Sequence, residues 1–206
     1  PGGFSYGDDI VSGKILAIEL INFLKQEIEN FRDKGGLIIG ICNGFQTLVR
    51  TGLLPFGKIG NMDATLANND SGHFECRWIK LTQEKSKCVF FKEKGPLGWF
   101  SVNHGEGKFF TDDETLKKIE DDGLVVFRYS DMEGNPTQEY PENPNGSLNA
   151  IAGVCDPTGR ILGLMPHPEK FVDTTQYPNW RRENISKPHG LFIFEDMVRY
   201  VKEEKV

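Results

Sequence analysis

The sequence has 206 residues, about one domain's worth and enough to bury a real core, with 38% apolar residues and 30 acidic against 24 basic side chains. A formal net charge of −6 without a Lys/Arg cluster argues against a dedicated nucleic-acid surface. No apolar run reaches the length of a membrane span, and there is no signal-peptide pattern. The four cysteines, Cys42, Cys76, Cys88 and Cys155, lack CxxC spacing, so neither a disulfide framework nor a zinc site is expected and a reducing cytoplasm is the simpler setting. Asn-x-Ser at Asn69, Asn145 and Asn184 is read as chance.

The chain opens at Pro1 on PGGFSYGDD, a Gly-rich loop with clustered acids and no strand before it. The expectation is one domain over residues 1–206 whose upstream part is absent. Asp8, Asp9 or Ser12 is a candidate cap for a helix over residues 10–31, where Leu20 or Ile21, Leu24, Ile28 and Phe31 recur at helical spacing. Gly35 and Gly36 end it. Residues 37–41 fit a buried parallel strand and residues 45–51 a helix stopped by Gly52 and Pro55. Strands are expected over 73–82, 88–91, 99–104 and 124–130, with a turn at 93–98, a short helix at 112–120 and a loop at 131–147. Residues 150–155 and 160–165 read as a hairpin around Asp156-Pro157-Thr158-Gly159. Residues 166–187 read as irregular, and 189–202 as a closing amphipathic helix. The alternation predicts an α/β fold with a mostly parallel central sheet.

Gly40-Ile41-Cys42-Asn43-Gly44 is a G-x-nucleophile-x-G turn between strand and helix, with Cys in the nucleophile position. Small neighbours are needed in so tight a turn, and the helix N-terminus would favour a thiolate at Cys42. Cys76, Cys88 and Cys155, on strand-like stretches, read as core. A thiolate needs a base and the base an orienting group. His167-Pro168-Glu169, just after an apolar strand, offers both, because residues two apart in extended chain point the same way. Acyl transfer also requires oxyanion donors. The N–H groups of Gly3, in the glycine loop, and Asn43, just after the cysteine, are the candidates.

PGGFSYGDD, GICNGFQTL, FECRW, HGEGKF, NPNGS, IAGV and MPHPEK, in that order along almost the whole chain, resemble the class I (triad-type) glutamine amidotransferases. Within that family they are most similar to the glutaminase part of phosphoribosylformylglycinamidine synthases. The resemblance implies a three-layer flavodoxin-like fold whose first strands and helix are missing here. It also implies Cys42, His167 and Glu169 as the triad, Gly3 and Asn43 as oxyanion donors, and glutamine as substrate. Gln46, Ser71, Phe74 and His104 are implied as substrate contacts, with Glu106 near the pocket or a partner interface. His73 stands where Arg is usual in the family, and His189 is expected to be structural. No metal and no cofactor are implied for this chain. ATP and Mg belong to a synthetase subunit or domain, which a small accessory subunit accompanies in some family members. The sequence carries no Gly-x-x-x-x-Gly-Lys-Ser/Thr motif of its own. Two alternatives stay open at this stage: another Cys-elbow γ-glutamyl hydrolase, and a catalytically silent regulatory subunit of a synthase.

Overall fold

The computed structural model describes residues 1–91 and 98–204. The expected turn at 93–98 lies largely outside them. Helix α1 spans Lys14–Asp33 and strand β1 Ile38–Ile41, and helix α2, Asn43–Thr51, begins directly after Cys42. Strands β2 (Thr65–Asn68), β3 (Glu75–Gln83), β4 (Gly98–His104) and β5 (Glu106–Phe110) follow. Next come α3 (Asp113–Asp121), β6 (Val125–Ser130), β7 (Ile151–Cys155), β8 (Ile161–Leu164) and finally α4 (Leu191–Glu204).

Six strands form one sheet in the order β1-β8-β7-β6-β3-β4, and β2 pairs with β5 in a separate antiparallel ribbon. The sheet is mixed, which corrects the expectation of mostly parallel pairing. Among the described residues only β1 and β8 run parallel, with Ile38 opposite Ile161 and Ile41 opposite Leu164. The other neighbours are antiparallel. The reason is connection length. β7 and β8 are joined by the Asp156–Gly159 turn, whose Asp156 carboxylate accepts from the N–H groups of Arg160 and Ile161 at 3.0 and 2.9 Å, and so short a link forces reversal. β1 and β8 are far apart in sequence, which leaves room for the crossover that parallel strands need.

Two strand expectations change. Residues 88–91 are buried at Cys88 and Phe90 but form no strand; the Val89 N–H goes to the carbonyl of Gly159 at 3.0 Å instead. The ribbon strands β2 and β5 were not foreseen. The chain turns a corner at Gly105, so His104 closes a strand of the large sheet while Glu106 opens one of the ribbon. Helix α1 is capped by Gly13 with no side-chain bond, because Asp8 and Ser12 are engaged elsewhere. Its apolar stripe is only partly covered: Ala17 is buried, while Leu24 and Phe31 are about half exposed, at 46% and 52%.

The core lies between the sheet and α2, and α2 is seated on β8 at close range. A side-chain carbon on Gly163 would stand 2.1 Å from the Phe45 ring, which is itself fully buried and stacks on Phe109 at 6.4 Å. Gly163→Ala should therefore overpack this contact and cost about 1–3 kcal/mol. Equilibrium urea unfolding measures it; an unchanged midpoint would mean that helix and strand are not in such close contact.

Candidate active site

β1 and β8 end side by side, so the residues that follow them meet at one edge of the sheet. Cys42 follows β1. It sits at φ 52°, ψ −107°, outside the regions a residue with a side chain readily adopts, and is 4% exposed. Its N–H donates to the carbonyl of Leu164 at 2.8 Å, tying the turn to the end of β8. Packing requires the glycine before it: a carbon on Gly40 would meet the Gly44 carbonyl at 2.7 Å and Leu48 at 2.6 Å, whereas one on Gly44 would stand 3.3 Å from the Pro1 carbonyl.

His167 lies just past β8 and is 5% exposed. Its N–H donates to the Ser101 carbonyl at 2.8 Å, which fixes it against β4. Its Nδ1 lies 2.6 Å from Glu169 Oε1, and its Nε2 is buried without a hydrogen-bond partner. Burial alone would push the Glu169 carboxyl up, but the hydrogen bond and charge of His167, with help from its own backbone and Lys170, bring it below the ordinary carboxylate value.

Cys42, His167 and Glu169 line one cavity of about 540 Å³, together with Gly2, Gly3, Phe4, Phe74 and Asn103. Gly2 is pressed against both Cys42 and the imidazole: a carbon there would stand 2.5 Å from His167 Cε1 and 3.5 Å from Cys42 Cβ. Gly3 has open space around it but holds φ 142°, which disfavours any side chain. The loop is joined to the turn by the Gly44 N–H, which donates to the Pro1 carbonyl at 3.1 Å.

The expected helix-terminus thiolate is outweighed by burial. Desolvation pushes the Cys42 thiol up to about 11, the Asn43 N–H beside it pulls it down, and the Glu169 charge adds to the rise. In the resting site the sulfur donates to the Asn103 carbonyl at 3.7 Å.

The remaining expected residues divide. Phe74 lines the cavity and also a second one of about 430 Å³ that adjoins it through Phe4 and Phe74 and is walled by Asp8, Ser12, Asn68, His73 and Glu106. Ser71 lines neither; its Oγ accepts from the His73 N–H at 3.3 Å. Gln46 is 3% exposed and committed to the interior, donating to the Glu106 carbonyl at 2.6 Å and accepting from Asn43 Nδ2 at 3.1 Å. His104 is 2% exposed and lies behind the wall, 3.1 Å from Asn69 Oδ1 and 3.5 Å from Asn145 Nδ2. Burial lowers its pKa to about 4, so it is neutral near pH 7. Both are corrected from cavity contacts to supports. Cys88 and Cys155 are buried as expected, but Cys76 is exposed, with its sulfur 3.1 Å from Asn103 Oδ1. His189 accepts from the Trp99 N–H at 2.9 Å, a structural bond.

Sequence reasoning missed Asn103, which no motif marks, and Arg50. The latter had a usable signal, a cation inside an otherwise buried helix; it pairs with Glu106 at 3.4 Å and burial lowers its pKa. Among the described residues no group of three or more His, Cys, Asp and Glu could hold a metal ion, and no helix is long and apolar enough to cross a membrane.

Residues 1–201 match the CobB/CobQ-like glutamine amidotransferase domain. The chain is 45% identical over 205 residues to phosphoribosylformylglycinamidine synthase subunit PurQ of Dehalococcoides mccartyi, an alignment covering 98% of this chain and 78% of that protein. It is 41% identical over 213 residues to the subunit of the same name from Archaeoglobus fulgidus, covering 98% and 77%. Among solved structures it superposes on PurLQS from Thermotoga maritima with a TM-score of 0.70 at 34% identity, covering 98% of this chain and 77% of that one. The chain belongs to the CobB/CobQ-like glutamine amidotransferase family.

Proposed function

We propose that this protein is the glutaminase component of a phosphoribosylformylglycinamidine synthase: it releases ammonia from glutamine, and a synthetase partner uses that ammonia to turn formylglycinamide ribonucleotide into the amidine in purine biosynthesis. The observation that carries the reading is the shared cavity, lined by Cys42 and by His167, whose Nδ1 is held by Glu169 and whose Nε2 has no protein hydrogen-bond partner. The similarity to subunits of that name supports the choice of reaction.

With Glu169 accepting from Nδ1–H, Nε2 is left as the acceptor. Glutamine enters with its carboxamide carbon over the sulfur. As Cys42 Sγ attacks, its proton passes to His167 Nε2, and the oxyanion is met by the N–H groups of Gly3 and Asn43. His167 then gives that proton to the departing nitrogen. Ammonia leaves, and a thioester remains on Cys42. Water, deprotonated by His167, attacks the thioester and releases glutamate, restoring the thiol. The burial that raises the thiol pKa makes this transfer part of the attack, because a free thiolate is scarce at neutral pH. In this reading ATP and Mg act on the synthetase partner and the reaction belongs in the cytoplasm; the similarity to PurLQS of Thermotoga maritima supports a partnered assembly.

A glutamine-analogue affinity label should modify Cys42 and leave Cys76, Cys88 and Cys155 intact in a peptide map; equal labelling of all four would sink the assignment. Glu169→Ala should lower glutamine turnover by about 10²–10⁴-fold while slowing labelling much less. Equal loss of both would reduce Glu169 to a fold element.

Removing the base isolates the thiol. In a His167→Ala protein, iodoacetamide must wait for bare thiolate, whose fraction grows about tenfold per pH unit below a pKa of about 11. The alkylation rate should climb without a plateau between about pH 7 and pH 9. A plateau inside that range would show that burial does not govern the sulfur.

A further inference from the structure

Gly3 and Asn43 can meet one oxygen only if the loop carrying the first is held in register with the turn carrying the second. At the near end the Gly44 N–H holds Pro1. At the far end the Ser5 N–H lies 3.4 Å from Asn43 Oδ1, and the backbone then runs left-handed through Tyr6, Gly7 and Asp8, at φ 55°, 69° and 53°. Residues with side chains leave that region unless their surroundings hold them there.

What holds them is a closed ring of hydrogen bonds. Asn43 Nδ2 donates to Asp8 Oδ1 at 3.3 Å and to Gln46 Oε1 at 3.1 Å. Asp8 Oδ2 accepts from Ser12 Oγ at 2.9 Å. The Ser12 N–H lies 3.2 Å from each Glu106 carboxylate oxygen, and the Glu106 carbonyl accepts from Gln46 Nε2 at 2.6 Å, which completes the circuit. Arg50 braces it from inside, donating to the Ser12 carbonyl at 2.7 Å and pairing with Glu106. The ring joins the glycine loop, α2 and β5, and within it the Asp8 carboxylate bridges the Asn43 side chain on one side and Ser12 on the other, beside the Ser5 N–H bond to Asn43.

We propose that Asp8 is a positioning residue for the glutaminase step, fixing the Gly3 loop against Asn43 so that both oxyanion donors converge. The proposal rests on the reading of Cys42 as nucleophile. The Asp8 charge is the smallest of the named influences on the Cys42 thiol, and its hydrogen bonds go to Asn43 and Ser12, so it acts chiefly through Asn43 and the loop. The chemistry predicts a split. Attack on a carboxamide builds an oxyanion and needs the donors, whereas alkylation by iodoacetamide is displacement at a saturated carbon and does not.

The test uses the protein in complex with its synthetase partner and compares Asp8→Ala, Asp8→Asn and Cys42→Ala. Asp8→Ala should lower kcat for glutamine hydrolysis about 100-fold, with KM and the Cys42 alkylation rate within about twofold of the parent. Asp8→Asn, whose amide can accept from Asn43 and donate to Ser12 Oγ, should recover most of kcat. Any of four results overturns the proposal: an unchanged kcat in Asp8→Ala; a raised KM at constant kcat, which would make Asp8 a substrate contact; an Asp8→Asn protein as impaired as Asp8→Ala; or parallel loss of alkylation and folding in both. Activity persisting in Cys42→Ala would instead sink the nucleophile assignment itself.

Discussion

A backbone at φ 52°, ψ −107° is held at Cys42, in a turn whose close packing admits only glycine at position 40. Gly40 and Gly44 make the turn, Gly163 lets Phe45 drop onto β8, and Gly2 lets the loop slide between His167 and Cys42. Each of these glycines gives up backbone entropy on folding, and together they let the glycine loop, α2 and β8 pack closely around the Cys42 turn. The parallel pairing does the rest. Since Ile41 stands opposite Leu164, the residues just beyond both strands emerge at the same edge, and Cys42 and His167 meet there without any long-range adjustment. Crevices beyond the carboxyl ends of strands are where open α/β sheets bind ligands.

Bringing the sulfur into so tight a place has an electrostatic consequence. Burial takes away the hydration that would stabilise a thiolate, and one nearby N–H does not compensate, so the Cys42 sulfur rests as a thiol. The imidazole is kept ready by the opposite arrangement: Glu169 takes one nitrogen and the other is left without a partner in the cavity. The unusual backbone at Cys42, the Glu169-held imidazole and the raised thiol pKa thus lie together around one cavity.

Much of this was legible in the sequence because it is local. The Cys42 turn, the His-x-Glu spacing and the Asp156–Gly159 hairpin each depend on neighbours a few residues apart, and each is where the pattern puts it. What escaped depends on distant partners. Nothing in residues 65–68 or 106–110 announces a ribbon, because those strands satisfy each other across some forty residues. Cys76 looked like core on strand alternation, yet it lies on the exposed face of β3. The sheet's mixed direction was obscured because alternation of helix and strand was read as crossover, while β6, β7 and β8 are linked by turns and loops. Gln46 and His104 were placed at the cavity by motif, but burial and hydrogen bonding turn both inward.

The HGEG segment shows why motif membership and cavity contact are different things. His104 and Glu106 flank Gly105, where the chain passes from one sheet to the other, and so their side chains serve different layers. His104 enters the interior and joins Asn69, Asn145, Ser147 and Tyr129 in a buried polar cluster that anchors the 131–147 loop to β5. Glu106 turns toward the glycine loop and receives the Ser12 N–H and Arg50. The loops around Cys42 bury little apolar surface of their own: Phe4, Tyr6, Ile10 and Phe74 are all more than half exposed. Hydrophobic packing therefore cannot fix their positions, and directional bonds to buried charges must do so. That division, an apolar core holding the strand ends and a polar ring holding the loops above them, explains why glycines allow the close approaches around the Cys42 turn while charged side chains tie the loops down.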